Sequence, residues 1–306
     1  MACRETEWPE RGRHYQAARS AIHAFSHWLI REGDYRGFRV PAGALERADA
    51  FLKRPIVLCG GMKSGTTLLS QLLDGHPNLL VPPGSARYFQ RYGKRKLGFE
   101  KTALKWIRKL VDPTGQRPFW PIGKEREAFL SFLGYLHHLF EISKVDDDLK
   151  GLISFYLVSR KGKEDVTHWV ERTTRNEFYA PKIKKAFPHA LFVHIIRDPI
   201  ENITSLLKWS GYKDKYNDIH YWIYSVKSQL KKAINNVHVL GEEKYRIIKY
   251  EEIVKNPQLE LQSLCQFLRI PFDENLLIPT KGGIPAVSNS MYADDRATGI
   301  VFQEKD

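Results

Sequence analysis

The chain has little cysteine, and this scarcity narrows its class. Its 306 residues include three cysteines, Cys3, Cys59 and Cys265, an odd number at wide spacing. A disulfide framework typically has an even number of cysteines, and a cysteine-based metal site has cysteines at short, fixed spacings. We therefore expect neither a disulfide framework nor a metal, and we expect a reduced, cytoplasmic protein.

A long apolar run is absent as well. The most apolar N-terminal segment spans residues 21–30 and is interrupted by His23 and His27. A transmembrane helix needs about 20 consecutive apolar residues, and the segment lacks the cleavage pattern of a signal peptide. We interpret it as an amphipathic helix that packs against the core, with attachment to a membrane surface as the alternative.

Internal repeats, low-complexity tracts and Ser/Gly/Pro-rich linkers are also missing, so no boundary divides the chain. With 42% hydrophobic and 27% charged residues, the chain is long enough for one large α/β domain. We predict a single domain over residues 1–306, with an N-terminal helical extension at 1–52 and a helical insertion at 91–150.

Positive charge is what the chain has in excess. The formal net charge of +13 favours acidic partners such as nucleic acid, an anionic membrane or acidic small molecules. Basic residues interleaved with aromatic ones concentrate in residues 87–109, which is typical of surfaces that bind nucleic acid or an acidic polysaccharide. A solvated helical face is the alternative. The residues are Arg87, Arg91, Lys94, Arg95, Lys96, Lys101, Lys105, Arg108 and Lys109, with Tyr88, Phe89, Tyr92 and Trp106.

A glycine-rich turn follows the first strongly apolar segment. Residues 55–59 predict a buried strand, and two threonines open the helix that we expect over residues 66–74. A turn of this kind before a helix presents backbone N–H groups to an anion. The turn has the sequence Lys63-Ser64-Gly65-Thr66-Thr67.

The position of the lysine narrows which anion this is. Gly60 and Gly65 have the spacing of a nucleoside-triphosphate loop, but Thr66 stands where that motif needs lysine. Lys63 lies earlier, inside the turn, so its charge reaches a different atom. A purely structural turn is the alternative for the loop taken alone.

A second cationic site is predicted where a later strand ends. Residues 190–196 form an apolar, β-branched run, and Arg197 follows directly. Asp198 suits the helix N-cap and Pro199 the first helical position, which puts Ser205 about two turns inside the next helix. A guanidinium and a hydroxyl group near the carboxyl edge of a sheet make a second anion clamp.

Together these residues resemble a known family, the sulfotransferases that use 3′-phosphoadenosine 5′-phosphosulfate (PAPS), and in particular soluble carbohydrate sulfotransferases of the bacterial kind. The family has a Lys/Arg-Ser-Gly-Thr-Thr loop and, later in the chain, an arginine followed eight residues on by a serine. Residues 63–67 match the loop, and Arg197 with Ser205 matches the pair. A weaker match covers residues 245–257, which resemble the family's strand ending in Tyr-Glu-Asp before a helix.

The resemblance extends over residues 55–90 and 165–272 and implies a function. It implies transfer of a sulfuryl group from PAPS to a hydroxyl or amine group, with a carbohydrate or glycolipid as the expected acceptor and with neither metal nor nucleic acid. Residues 91–150 would lie on the acceptor side, and Lys63 would meet the charge on the leaving oxygen. The implied PAPS-binding residues are Lys63, Ser64, Gly65, Thr66, Thr67, Arg197, Ser205 and Tyr250, the last in contact with adenine.

The general base is where the sequence departs from the family. Glycan sulfotransferases of this kind have a glutamate in a Pro-Gly-Glu context, and Ser85 occupies that place in residues 83–89. An acceptor hydroxyl must lose its proton during attack, so we consider Glu171 and His168, from a run that resembles the family's Glu-Lys-Thr-Pro segment. A structural ion pair is the alternative for Glu171. A relocated base, an acidic acceptor and binding without turnover all stay open.

Strands alternate with helices along the chain, which predicts an α/β fold: a P-loop parallel sheet of the nucleotide-kinase kind, covered by helices on both faces. We expect the ligand across the carboxyl ends of the strands. The predicted strands are 55–59, 79–81, 166–172, 190–196 and 245–249, and the predicted helices are 13–31, 42–52, 66–74, 99–111, 125–142, 180–187, 200–209, 217–236 and 257–268.

Two other classes stay open. A P-loop kinase of a small molecule or nucleic-acid end is disfavoured by the displaced lysine and by the lack of an aspartate after an apolar strand to hold magnesium. A non-catalytic basic module would bind nucleic acid or acidic polysaccharide through residues 87–109, with strong dependence on salt.

Overall fold

The computed structural model describes residues 20, 23–24, 26–85, 87–91, 96–110, 125–160, 162–208 and 218–286. The chain divides into two compact units, one with Met1–Leu45 and Lys94–Arg160, the other with Glu46–Gly93 and Lys161–Asp306. In chain order the helices and strands are α1 (Ala44–Leu52), β1 (Pro55–Cys59), α2 (Thr66–Asp74), β2 (Leu79–Leu80), α3 (Tyr88–Arg91), α4 (Phe99–Leu110), α5 (Glu125–Ile142), α6 (Asp147–Ser159), β3 (His168–Arg172), α7 (Ala180–Ala186), β4 (Leu191–Ile196), α8 (Pro199–Lys208), α9 (Ile219–Leu240), β5 (Tyr245–Lys249), α10 (Tyr250–Lys255), α11 (Pro257–Leu268), β6 (Thr280–Lys281) and β7 (Ile284–Pro285).

A five-stranded parallel sheet forms the centre of the second unit. The strand order is β2-β3-β1-β4-β5, and Val57 of β1 lies opposite Glu171 of β3 and Phe192 of β4. Because all five strands run in one direction, the residues that follow β1, β3, β4 and β5 meet at the same edge of the sheet. The predicted α/β fold with a parallel sheet is confirmed.

Helices cover both faces of this sheet, and this explains why its strands are apolar runs and not alternating ones. On one face, aliphatic side chains of β1, β4 and β5 pack with leucines of α2 and α11. On the other face, Trp169 donates its indole N–H to the carbonyl of Leu52 in α1 at 3.2 Å. There Asn236 of α9 also donates its amide to the hydroxyl of Tyr245 in β5, at 3.3 Å.

Most predicted elements begin and end within two residues of their expected bounds, and α9 is an exception. It continues beyond residue 236 to Leu240 and ends at Gly241, whose φ is 84°. Asn236 does not break this helix, because its buried amide donates to the carbonyl of Glu177 at 2.8 Å. Of the helix expected at 13–31, the described residues are helical, and the rest lies outside the described part of the chain.

The described part of the first unit includes the helices α4, α5 and α6, and the sequence did not predict α6. Most α6 side chains are buried, so the helix shows no polar face and only a weak 3.6-residue period. Gly151 allows a close approach to α4, since a Cβ atom there would lie 1.9 Å from Nε1 of Trp106. Asp146 caps α6 by accepting the N–H of Asp148 at 2.9 Å.

Three aromatic residues of segment 87–109, Tyr88, Phe89 and Trp106, are core residues. Tyr88 and Phe89 are 3% and 2% exposed, and their rings lie 5.6 and 5.9 Å from the ring of Trp169. Trp106 is buried within the first unit. These rings are therefore not exposed as a surface on which bases could stack. Tyr92, Lys94 and Arg95 lie outside the described residues.

The described residues include two of the three cysteines. Cys59 and Cys265 are buried free thiols, and Cys3 lies outside the described residues. Within the described part of the chain, no helix has the length and apolar character needed to span a bilayer. The same residues include no cluster of three or more His, Cys, Asp or Glu side chains that could hold a metal.

The start of α8 is capped by the residue that the sequence predicts. Oδ1 of Asp198 accepts the backbone N–H groups of Ile200 and Glu201 at 2.9 and 3.0 Å. The N–H of Asp198 in turn donates to the carboxylate of Glu251 in α10 at 2.8 Å. The segments that follow β4 and β5 are thereby tied together.

Lys163 ties the end of α2 to the start of β2. Its ammonium donates to the backbone carbonyls of Asp74, His76 and Leu79 at 2.8, 2.6 and 2.8 Å. Burial lowers the pKa of Lys163, and the carboxylate of Asp74 opposes that shift. One partly buried cation therefore satisfies three carbonyl groups of a turn.

We expect Lys163→Met to lower the free energy of unfolding by roughly 1.5–3 kcal/mol, because three partly buried carbonyls lose a charged donor. Lys182→Met, at an exposed position of α7, should change it by less than about 0.5 kcal/mol. Urea unfolding followed by circular dichroism measures both. Equal midpoints for the two variants would contradict this role of Lys163.

Candidate functional site

The loop after β1 lies against two other segments of the same sheet edge. Gly60 and Gly65 have φ angles of 139° and 105°, which residues other than glycine rarely adopt. A Cβ atom on Gly60 would lie 2.7 Å from the carbonyl oxygen of Ile195, and one on Gly65 would lie 2.5 Å from Cδ2 of Tyr250. The loop therefore needs glycine at both positions for conformation and for space.

The loop leads into an uncapped helix N-terminus. The hydroxyl of Ser64 donates to the carbonyl of Gly61 at 2.8 Å, so the turn is closed by its own side chain. Helix α2 then begins at Thr66, and no side chain caps its N-terminus. First-turn N–H groups without a cap are suited to bind an anion. This is the placement that the sequence predicts for the loop.

Arg197 and Tyr250 lie beside the loop. The guanidinium carbon of Arg197 lies 4.8 Å from the centre of the Tyr250 ring, and the edge of this ring contacts Gly65. Nε of Arg197 is buried without a hydrogen-bond partner among the described residues, and its Nη2 is 3.5 Å from the exposed Glu201. The structure thus brings the predicted second clamp to the first, with a tyrosine between them.

Lys63 is held in a strained backbone conformation close to Arg197. Its φ is 63°, which is uncommon for a residue other than glycine. Burial lowers the pKa of the Lys63 ammonium, and the guanidinium of Arg197 lowers it further. Two like charges are therefore close enough to repel each other, which is unfavourable without an anion.

Ser205 lies on α8, which is docked onto the loop. The side-chain amide of Asn202 donates to the carbonyl of Met62 at 3.0 Å. Ser205 is three residues further along and shares that face of the helix. Ser205 is partly exposed.

Arg172 lies beside the loop, although the sequence analysis assigned it no role. It ends β3, the strand beside β1, and its Nη1 donates to the hydroxyl of Thr67 at 2.6 Å. Burial lowers the pKa of Arg172, and the neighbouring Glu171 opposes that shift. Its position at the end of a strand adjacent to the loop strand was a signal that could have identified it.

Sequence reasoning also missed Glu177, whose carboxylate binds the start of the loop. Its Oε2 accepts the backbone N–H of Gly60 at 3.2 Å, and its other carboxylate oxygen has no hydrogen-bond partner among the described residues. Burial raises the pKa of Glu177, an effect that the N–H of Gly60 opposes. Only the fold brings residue 177 to residue 60, so no local pattern pointed to it.

The two candidate bases lie in different places. His168 begins β3, whereas the loop lies where the strands end, so the structure does not bring His168 to the clamps. Its ring accepts or donates a 2.9 Å hydrogen bond with the hydroxyl of Thr167. Burial and the nearby Arg54 lower the pKa of His168 to about 4.

Glu171 lies at the correct edge but is fully buried. Its Oε1 accepts the hydroxyl of Thr173 and, at 3.4 Å, the backbone N–H of Tyr88. Its Oε2 accepts the side-chain amide of Asn176. No acceptor molecule can touch this carboxylate directly. The exposed Ser85 donates its hydroxyl to Oγ1 of Thr173 at 3.0 Å.

Comparison with known proteins identifies a family. A protein-family sequence model described as "Sulfotransferase family" matches residues 55–274. Protein-tyrosine sulfotransferase A of Caenorhabditis elegans is 23% identical over 229 residues, which cover 73% of this chain and 52% of that protein. An uncharacterized protein of Aquifex aeolicus is 24% identical over 233 residues, 74% of this chain and 26% of that protein. The chain thus spans about half and about a quarter of these relatives.

Two solved structures of sulfotransferases are similar to this chain at lower sequence identity. A sulfotransferase from Alicyclobacillus acidocaldarius has a TM-score of 0.46 at 18% identity, covering 79% of this chain and 87% of that one. A sulfotransferase from Mycobacterium avium has a TM-score of 0.45 at 16% identity, covering 86% and 74%.

We expect Arg197→Gln to raise the pKa of Lys63, because a neighbouring positive charge is removed. The pKa can be measured by NMR titration of the protein after reductive methylation of its lysines with labelled formaldehyde. Arg160→Gln, at an exposed position, serves as the control and should leave Lys63 unchanged. An unchanged Lys63 titration in Arg197→Gln would show that the two charges are not coupled.

Proposed function

This chain belongs to the sulfotransferase family, and from that premise we propose that it transfers a sulfuryl group from PAPS to a hydroxyl group of an acceptor. The proposal rests above all on the proximity of Lys63 and Arg197. Two cationic side chains, partly buried and coupled to each other, are stable together when a polyanion lies between or against them. PAPS carries phosphate at one end and phosphosulfate at the other, and so offers a negative group to each.

The residues fit such a donor. Nε of Arg197 has no partner among the described residues, and no described carboxylate pairs with Lys63. We propose that Lys63, Ser64, Gly65, Thr66 and Thr67 bind the phosphosulfate and that Arg197 and Ser205 bind the 3′-phosphate. Tyr250 holds the Arg197 guanidinium over its ring, and its contact with adenine stays a prediction.

The transfer step needs charge stabilisation at the leaving oxygen. The acceptor oxygen attacks sulfur in line, and the bond from sulfur to the phosphate oxygen breaks with its electron pair going to that oxygen. In this proposal the Lys63 ammonium meets the new charge, while first-turn N–H groups of α2 bind the neighbouring oxygens. Arg172, fixed on Thr67, adds a third positive charge beside this turn.

The acceptor class is the finer part of the proposal. We propose a carbohydrate or glycolipid hydroxyl, from the resemblance to soluble carbohydrate sulfotransferases. The relative from C. elegans is named for transfer to tyrosine, so a phenol is the second candidate. We predict that residues 91–150 select the acceptor. Transfer of labelled sulfate onto a panel of glycans, glycolipids and tyrosine peptides distinguishes these acceptors.

Binding of the donor product tests the clamps. We expect adenosine 3′,5′-bisphosphate to raise the melting temperature and ATP with magnesium to have little effect. Arg197→Ala should weaken binding of the bisphosphate roughly 10–100-fold, because a charged hydrogen bond to phosphate is lost. Calorimetry measures the affinity, with Lys182→Ala as the control. Stabilisation by ATP with magnesium alone would favour a kinase instead.

The rate of transfer tests Lys63. We expect Lys63→Ala to lower the rate about 10²-fold or more, while the exposed Lys182→Ala remains at the wild-type rate. Single-turnover transfer from labelled PAPS measures the chemical step. A near-normal rate in Lys63→Ala would rule out its role at the leaving oxygen.

The pH dependence of binding follows from the lowered pKa of Lys63. A lowered pKa means that Lys63 loses its charge at a lower pH than an exposed lysine does, and the bound anion favours the charged form. Affinity for adenosine 3′,5′-bisphosphate should therefore fall as the pH rises through that pKa. Lys63→Arg, which stays charged, should lack this fall. Parallel pH profiles of wild type and Lys63→Arg would contradict the assignment.

A further inference from the structure

The exposed hydroxyl of Ser85 is connected to a buried carboxylate through a single side chain. Ser85 is exposed, Thr173 is 3% exposed and Glu171 is fully buried. Oγ of Ser85 lies 3.0 Å from Oγ1 of Thr173, which in turn is hydrogen-bonded to Oε1 of Glu171. Three oxygen atoms therefore form a continuous path from the surface of the unit to its interior.

The direction of each hydrogen bond in this path follows from the chemistry of the groups. An ionised carboxylate only accepts, so Thr173 must donate its proton to Glu171. The backbone N–H of Arg87 donates to Oγ1 of Thr173 at 2.9 Å and occupies one of its two lone pairs. The other lone pair is left for the proton of Ser85. The path is therefore polarised from Ser85 towards Glu171.

The surroundings hold this path in place. Asn176 donates its amide both to the carbonyl of Leu58 at 3.1 Å and to Oε2 of Glu171, which turns Oε1 towards Thr173. Arg87 has a φ of 52°, an uncommon conformation for a residue with a side chain, and its N–H is one of the two donors to Thr173. Strained backbone of this kind is frequent where a fold positions a reactive group.

The path reaches the sheet edge that carries the loop. Thr173 directly follows Arg172, whose guanidinium donates to Thr67 at 2.6 Å. Ser85 is thus connected to the start of α2 through the end of β3.

We infer that Ser85, Thr173 and Glu171 form a proton relay that replaces a directly exposed carboxylate base. The inference rests on the proposed transfer from PAPS. As the acceptor oxygen bonds to sulfur, its O–H bond breaks and the proton passes to Oγ of Ser85. Ser85 passes its own proton to Thr173, and Thr173 passes its proton to Oε1 of Glu171, which becomes a carboxylic acid. Ser85 is the catalytic residue that touches the acceptor, and the other two act through it.

A set of variants tests the relay against the donor site. Ser85→Ala and Thr173→Val should lower the single-turnover rate about 10²–10⁴-fold, the range for loss of general base catalysis. Both should bind adenosine 3′,5′-bisphosphate as wild type does. Thr173→Ser, which keeps the hydroxyl, should recover most of the rate lost in Thr173→Val. Ser159→Ala, in which a serine hydroxyl bonded to the carbonyl of Phe155 is removed, is the control.

The role of Glu171 is tested in two backgrounds, because its substitution can also affect folding. Glu171→Gln should lower the rate in the wild-type background. In a Ser85→Glu background, which places a carboxylate directly at the acceptor, the same substitution should have little effect. An equal loss in both backgrounds would show that Glu171 is only structural and would overturn the relay.

Wild-type protein gives an independent test. Several protons in motion make the single-turnover rate depend on the deuterium fraction of the solvent along a curve, whereas transfer of one proton gives a straight line. A straight line, or a wild-type rate in Ser85→Ala, overturns the relay but leaves the transfer itself intact. If wild type binds the bisphosphate and transfers no sulfate to any acceptor of the panel, the proposed function fails, and the relay fails with it.

Discussion

Two positive charges held close together at the carboxyl edge of the parallel sheet are the constraint on which the rest of this site depends. Lys63 and Arg197 come from segments that follow different strands, and each is partly buried. Burial lowers the pKa of Lys63, and the positive charge of Arg197 lowers it further. Such an arrangement is retained when a ligand supplies the missing negative charge. Both residues lie within the span 55–274 that matches the sulfotransferase family.

The fold supports these charges through contacts beneath the loop as well as within it. Glu177 accepts the N–H of Gly60, and Asn236 joins the carbonyl of Glu177 to the hydroxyl of Tyr245. This polar group lies inside the second unit, where an unpaired polar atom is costly. Hydrogen bonds within it keep the start of the loop in one position. Precise placement of the loop matters because charge stabilisation in a transfer reaction depends on donors that are already oriented.

Burial also separates the roles of the candidate proton acceptors. His168 lies at the beginning of its strand, and burial holds its pKa at about 4, so it remains neutral near pH 7. Glu171 lies at the loop edge but is covered by Thr173 and Asn176. The exposed group at this place is the hydroxyl of Ser85. The proposed relay connects this exposed hydroxyl to the buried carboxylate of Glu171.

Local pattern was sufficient for most of the helices and strands and for the turn after β1. The loop over residues 63–67, the strand before Arg197 and the cap at Asp198 are each encoded within a few neighbouring residues, so the sequence determined them by itself. Helix α6 was missed because burial removes the polar face on which periodicity depends. The contacts of Arg172 with Thr67, of Glu177 with Gly60 and of Ser85 with Thr173 were decided only by the tertiary structure. They join residues 88 to 117 positions apart, and parallel pairing of strands, which no local pattern records, brings them to one edge.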